Sequence, residues 1–216
     1  MEYQSLIDHW KKYDQTPKGE IKKDWDTKYK NSIESGIWSD PVSHIKEKVD
    51  FLNVFGCRVN GKTAIPDIVE HGVSFNDLLQ GTSSLNLLTI SHKSLEKLKQ
   101  IYCLLAKVNG LGPTGISVYL HMHKPVLFVM WDNQIFLDYF PLKTHSKATA
   151  TSEKYVKFML RMKSEIQEAL LTFPASEHIT ETQAIIEFRS HFNNETLPRI
   201  LDKYNHATRN KKKFDE

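Results

Sequence analysis

A chain of 216 residues, 40% hydrophobic and 25% charged, can bury one large core or two small ones, which excludes wholesale disorder. Nine glycines and eight prolines are too few turn-formers for a turn-dense all-β protein. Basic residues outnumber acidic ones by 29 to 26, a mildly basic balance that does not by itself name a polyanionic partner.

From residue 2 to about 12, Tyr3, Leu6, Ile7 and Trp10 recur at helical spacing. Lysines and acids then alternate to about residue 29 without a clean period. Lys11, Lys12, Lys18, Lys22, Lys23, Lys28 and Lys30 crowd this end, while Arg209, Lys211, Lys212 and Lys213 nearly close the chain. Such runs are either solvated faces or anion-facing ones. Trp25 and Trp38 are expected to pack onto the main body. Ser39 or Asp40 as cap, Pro41 in the first turn, and Val42, Ile45, Val49, Leu52 and Phe55 predict a helix ending at Gly56. Arg58, Asn60, Gly61 and Lys62 read as a polar connection. Two short helices are then predicted at 67–69 and 75–79, parted by Gly72.

The pattern sharpens from Ser91. Ser91 or Ser94 can cap a helix carrying Leu95, Leu98, Ile101, Tyr102, Leu104 and Leu105, an unbroken three-four stripe. It halts at Asn109-Gly110-Leu111-Gly112-Pro113. A second helix runs from near Thr114 to about His123. An apolar crossing follows and ends in Asp132, which opens a helix over 133–139, with Pro141 as its exit. After a polar loop at about 142–151, helices are predicted at 152–171, 180–192 and 195–206. Helices dominate, with at most marginal strands.

Cys57 and Cys103 sit among apolar neighbours and are expected to be buried free thiols of a reducing compartment. No four-cysteine set is present for an iron–sulfur cluster or a structural zinc. His121 and His123 lie two apart on a helix, whereas one metal ion prefers the i, i+4 spacing. The N-terminus lacks an apolar signal core, and no run approaches twenty apolar residues. The expectation is a protein that is neither secreted by a classical signal nor membrane-spanning.

Two glycines flanking one leucine between amphipathic helices permit a tight connection with positive φ. Bare glycines also let a phosphate approach the backbone, toward the free amides and positive dipole end of the second helix. Such contacts position a protein on a nucleic acid without reading its sequence. An ordinary corner between core helices is the alternative.

The run Val108-Asn109-Gly110-Leu111-Gly112-Pro113-Thr114, then Ile116-Ser117-Val118, then the apolar 126–130, then Asp132, resembles the helix-hairpin-helix DNA glycosylases. That superfamily includes endonuclease III, the adenine mismatch enzyme and the alkylpurine enzymes. The resemblance covers about residues 95–140, and the eighteen residues from Thr114 to Asp132 are similar to the lysine-to-aspartate spacing of endonuclease III-like members. Two departures stand out. Thr114 occupies the position of the lysine that attacks the sugar in bifunctional members, which implies a monofunctional mode. Trp131-Asp132-Asn133-Gln134 replaces the familiar Val-Asp-Thr-His.

The resemblance implies a mainly α fold of two helical subdomains with a DNA-binding cleft between them. In that arrangement residues 42–140 form one subdomain, with the hairpin at about 92–123, and residues 1–41 plus 141–216 form the other. It implies that Asp132 is the catalytic carboxylate and that Gly110, Leu111, Gly112, Thr114 and Gly115 grip the DNA backbone. Trp131, Tyr119 and His121 are candidates to line a base pocket, and Arg58 and Asn60 to enter the vacated duplex. Backbone carbonyls of Ala106, Val108 and Leu111 are candidate ligands of a monovalent cation, with no other cofactor expected. The expected partner is double-stranded DNA with a lesion or mismatch, bound by a monomer in the nucleoid of a prokaryote or the nucleus of a eukaryote. For Asp132 a plain helix cap is the competing role. For the whole chain, the competitors are a non-catalytic helix-hairpin-helix DNA binder and an unrelated helical interaction protein.

Overall fold

The structure, a computed structural model, describes residues 1–15, 19–140, 151–176 and 180–212. Lys18, Lys213, the exit at Pro141 and the loop at 142–150 lie outside the described residues, as do the side chains of Lys22, Lys23, Arg209, Lys211 and Lys212. The described residues form ten helices and no strand, in agreement with a mainly α reading. In chain order they are α1 (Tyr3–Gln15), α2 (Gly19–Glu34), α3 (Ile45–Val54), α4 (Gly61–Gln80) and α5 (His92–Leu105). There follow α6 (Pro113–His123), α7 (Asn133–Tyr139), α8 (Ser152–Leu171), α9 (Glu181–Ser190) and α10 (Leu197–Lys212).

The core grows from the three-four stripes. α5 turns Leu98, Ile101 and Tyr102 toward α8, whose Tyr155 stacks on Tyr102 with ring centroids 4.8 Å apart. α1 packs along α10, and α4 lies against both α3 and α5. The crossing at 124–131 is not a strand. It descends through turns into the middle of the molecule, where Leu127, Phe128, Val129, Met130 and Trp131 are all buried. Burying such side chains is the main favourable term in folding, on the order of 1.5–3 kcal/mol each. α6 is buried almost all round, from Gly115 to Met122, and so runs through the centre of the fold.

Several expectations are corrected. α2 replaces the aperiodic stretch before Tyr29. Its inward face carries Asp26 and Tyr29, polar groups that a hydrophobic stripe search passes over, and α10 holds them. The two short helices about Gly72 are one, α4. A Cβ at Gly72 would lie 1.9 Å from Val42 Cγ1, so that glycine marks close packing rather than a break. The helix expected from Pro41 starts only at Ile45. Asp40 Oδ1 accepts from the amides of Val42 (2.7 Å) and Ser43 (2.8 Å) to make a turn, and His44 is left-handed with φ 54°. Cys57 is buried as expected, but Cys103 is exposed, because the helical period and not its apolar neighbours sets its direction.

Candidate nucleic-acid interface

The connection between α5 and α6 is built by its glycines and clamped from α4. Gly110 has φ +83°, and a Cβ there would fall 2.6 Å from Thr63 Oγ1 and 2.9 Å from Asn60 Cβ. Only glycine meets both demands. The Asn109 amide and its side-chain Nδ2 both donate to Asp67 Oδ2 at 2.8 Å. Thr63 Oγ1 donates to the Asn109 carbonyl at 3.0 Å, and the Asn60 amide donates to the Gly110 carbonyl at 3.2 Å. Leu111 points inward, and its amide donates to the Val108 carbonyl at 3.3 Å, so neither group is offered outward. Gly115 is buried under Leu111, whose Cδ1 would sit 2.7 Å from an added Cβ.

Gly112 is different. Its φ of −73° suits any residue, it is exposed, and an added Cβ would meet nothing within 4 Å. Among the described residues nothing requires a glycine there. It is the N-cap of α6, Pro113 has no N–H, and the first-turn amides of Thr114 and Gly115 have no intrahelical acceptor. The corner therefore presents bare backbone at the positive end of an eleven-residue helix.

Asp132 is fastened to this corner through the residue before it. The Trp131 amide donates to Ser117 Oγ (3.1 Å), the Trp131 indole Nε1 donates to the Pro113 carbonyl (3.2 Å), and Ser117 Oγ lies 2.9 Å from the carbonyls of both Thr114 and Trp131. Asp132 caps α7, its Oδ1 accepting from the amides of Gln134 and Ile135 at 2.9 Å each. The residue is only partly buried. Its charge reaches Cys57: burial, aided by Asp132, pushes that thiol up to about 12. Cys57 thus stays protonated at neutral pH and is no nucleophile.

The other expected site residues divide. Trp131, Tyr119 and His121 belong to the core, at 2%, 0% and 0% exposure, and the expectation that they line a base pocket gives way. Tyr119 donates its hydroxyl to the Pro41 carbonyl (2.9 Å). His121 lies between the Phe128 carbonyl at Nδ1 (2.7 Å) and the Tyr29 hydroxyl at Nε2 (2.8 Å), and burial pushes its imidazole down to about 4. Asn60 caps α4, accepting from the Lys62 amide at 3.2 Å, and belongs to the clamp. Arg58 is exposed beside Cys57 with φ 53°, on the loop that leads into the clamp. Among the described residues no three His, Cys, Asp or Glu side chains form a metal-holding group. No described helix is long and apolar enough to cross a membrane.

Sequence reasoning missed the clamp and the pin. Thr63 and Asp67 stand one turn apart on α4, a spacing that puts them on one face, but nothing local shows that the face meets Asn109 forty-odd residues on. Ser117 reads as one small residue in an aliphatic helix. Comparison of the chain with protein-family models, with curated proteins and with solved structures finds no match in any of the three.

Proposed function

We propose that this chain is a monofunctional DNA glycosylase of the helix-hairpin-helix type, which binds duplex DNA across the glycine corner and hydrolyses one N-glycosidic bond at Asp132. The observation that carries the reading is the hydrogen-bonded pin between the first turns of α6 and the peptide that bears Asp132. It fixes a carboxylate relative to a corner whose Gly112 meets no described residue that would require a glycine. A phosphate resting on the exposed Gly112 and the Thr114 amide, with Gly115 buried behind them, would hold the strand at one distance from that charge.

The chemistry follows from the charge. As the C1′–N bond breaks, its electron pair leaves with the base and the sugar becomes cationic. A preorganised carboxylate opposite that cation lowers the barrier, because a fixed charge is worth more in a water-poor site than in bulk water. Water adds at C1′ and gives up a proton, the departing base takes one, and an abasic site remains. Asp132 stabilises the cation or orients the water. Thr114 carries no amine, so no Schiff base forms at that position. The target nucleotide must leave the stack, which costs least at a lesion or mismatch.

The finer architecture belongs to the same proposal: a hairpin subdomain at about 42–140 and a second made of 1–41 with 141–216, with the DNA between them, acting as a monomer on lesion-bearing duplex. The carbonyls of Ala106, Val108 and Leu111 supply hard oxygen ligands of the kind a monovalent cation takes, and Val108 keeps a second lone pair beyond its bond to Leu111. Bound there, a cation would supply positive charge to attract a phosphate.

The test is a panel of end-labelled duplexes, each with one lesion or mismatch, incubated with the chain and then treated with alkali. Strand breakage only after alkali supports the reading. Breakage without alkali, trapped by borohydride, overturns the monofunctional assignment. Salt-sensitive duplex binding with no excision of any base would leave a non-catalytic binder in which Asp132 is only a cap.

A further inference from the structure

One face of α7 leads away from Asp132 into a cavity. Ile135, Asp138 and Tyr139 follow Asp132 at the spacing of one helix face, and all three line an open cavity of about 350 Å³ bounded also by Met1, α8 and α10. That volume lies in the range of small-molecule sites. At 1.5 Å per residue, the lining part of α7 begins about 5 Å from Asp132 and ends about 10 Å away.

The chemistry of the cavity is set by Glu165, a carboxylate only 8% exposed. Its Oε1 accepts from Arg161 Nε at 2.8 Å. Among the described residues its Oε2 accepts only from the Tyr139 hydroxyl, at 3.4 Å, long for an O–H···O bond. The Tyr139 proton has a better acceptor in Asn205 Oδ1, at 3.1 Å. A buried carboxylate oxygen so weakly served calls for an N–H donor. Beside it Arg161, with a mostly exposed side chain, keeps N–H groups beyond the one given to Glu165, while Ile135 and the rings of Tyr139 and Tyr204 supply apolar walls. The site thus offers the Glu165 acceptor in its depth, Arg161 donors beside it and surfaces on which a flat ring can lie. It also holds a second, exposed carboxylate in Asp138, which accepts from the Gln134 side-chain amide at 3.2 Å.

We infer that this cavity receives the extruded base and selects bases that carry an exocyclic amino group, with Glu165 accepting from that group and Arg161 donating to the ring nitrogen or carbonyl next to it. Uracil and thymine fit worse. Their N3–H is flanked on both sides by carbonyl oxygens; Arg161 can answer one, but the other would face the carboxylate as an unpaired acceptor, whereas the amino group of adenine or cytosine has an acceptor on one side only. The identity of the ligand as a nucleobase rests on the glycosylase reading; the preference for an amino group rests on Glu165 together with Arg161, which holds its Oε1 and donates beside it.

The experiment is saturation-transfer NMR of the full chain with free adenine, cytosine, uracil and thymine, run beside the duplex panel. Adenine and cytosine are expected to bind at least about tenfold more tightly than uracil and thymine, and to lose that advantage in Glu165→Gln and in Arg161→Ala. Arg161 is mostly exposed, so its variant keeps the test alive if Glu165→Gln fails to fold. Equal binding of all four bases, tighter binding of uracil or thymine, or no binding at all overturns the inference. Amino bases that bind while no duplex is excised would uphold the cavity and sink the glycosylase. Excision confined to uracil-type bases would do the reverse.

Discussion

The seam between α2 and α10 and the corner between α5 and α6 both depend on polar groups, and they use them in opposite ways. At the seam, Arg199 pairs with Asp26 (2.5 Å) and with Asp202, and Lys203 reaches Asp26 (3.0 Å) and Glu195 (3.4 Å). Arg199 also lies over the Tyr29 ring at 4.7 Å. Arg199 and Lys203 are sealed, at 3% exposure each, Asp26 is partly buried, and each charge answers another. At the corner, by contrast, backbone is bared at Gly112 and a carboxylate stands partly open at Asp132. Charge satisfied internally holds helices together, whereas backbone left bare at a helix start is available to a ligand.

The comparison breaks most visibly at the seam. Arg199→Met leaves Asp26 and Asp202 short of a partner in a buried site and should cost about 3–5 kcal/mol in urea unfolding. A loss under about 1 kcal/mol would show that the network is incidental to the fold. At the corner, Asp132→Asn should lower excision about 10²–10³-fold in single-turnover assays. Asparagine caps a helix as well as aspartate does, so the melting temperature and duplex affinity should hold. Wild-type excision by this variant would remove Asp132 from the chemistry.

Acid should strike the core before the corner. Burial holds His121 down to about 4 and His123 to about 3, the latter with help from the Lys48 ammonium. The unfolded chain binds those protons from about pH 6.5 downward. Folding stability is therefore full above about pH 6.5 and falls as the pH drops toward 4, by up to about 3 kcal/mol for each imidazole. Burial raises Asp26, but Arg199 and Lys203 outweigh it and hold the carboxyl below its usual range, so its contribution is lost at lower pH still, as the group protonates. Chemical denaturation at stepped pH reads both phases, and a flat profile from 7 to 4 would contradict the buried neutral imidazoles.

Smaller effects separate the two glycines. Gly110→Ala forces a side chain into a left-handed position against Thr63 and should cost about 1–2 kcal/mol. Gly112→Asp should leave stability within about 0.5 kcal/mol, since its side chain meets open space, yet weaken duplex binding by repulsion. Unchanged affinity would end the phosphate role. Smallest of all, a thiol reagent should modify Cys103 at once and Cys57 only after unfolding, as read by mass spectrometry.

Much of the fold was legible where burial is apolar and regular. α8 stands over Ser152–Leu171 as the stripe from Tyr155 to Leu170 predicts, and α5, α6 and α7 fall where their caps and glycines place them. α2 was not legible, because its inward face is Asp26 and Tyr29, whose partners lie on α10. Of the candidate site, the corner and the cap at Asp132 could be read locally. That Tyr119, His121 and Trp131 belong to the core could not, because an aromatic side chain looks the same in sequence whether it faces a ligand or Tyr155.

By itself, then, the order of residues determined the apolar-striped helices, the glycine corner between α5 and α6, and that an aspartate opens α7. Only tertiary structure decided that Trp131 and Ser117 bind that aspartate's peptide to α6, that Asp67 and Thr63 clamp the turn, and that Glu165 lies in a cavity beside α7. The physical reason is range. Periodicity and capping act over a few residues, whereas these contacts join residues 14 to 46 positions apart, or helices from separate parts of the chain, and exist only once the core has packed.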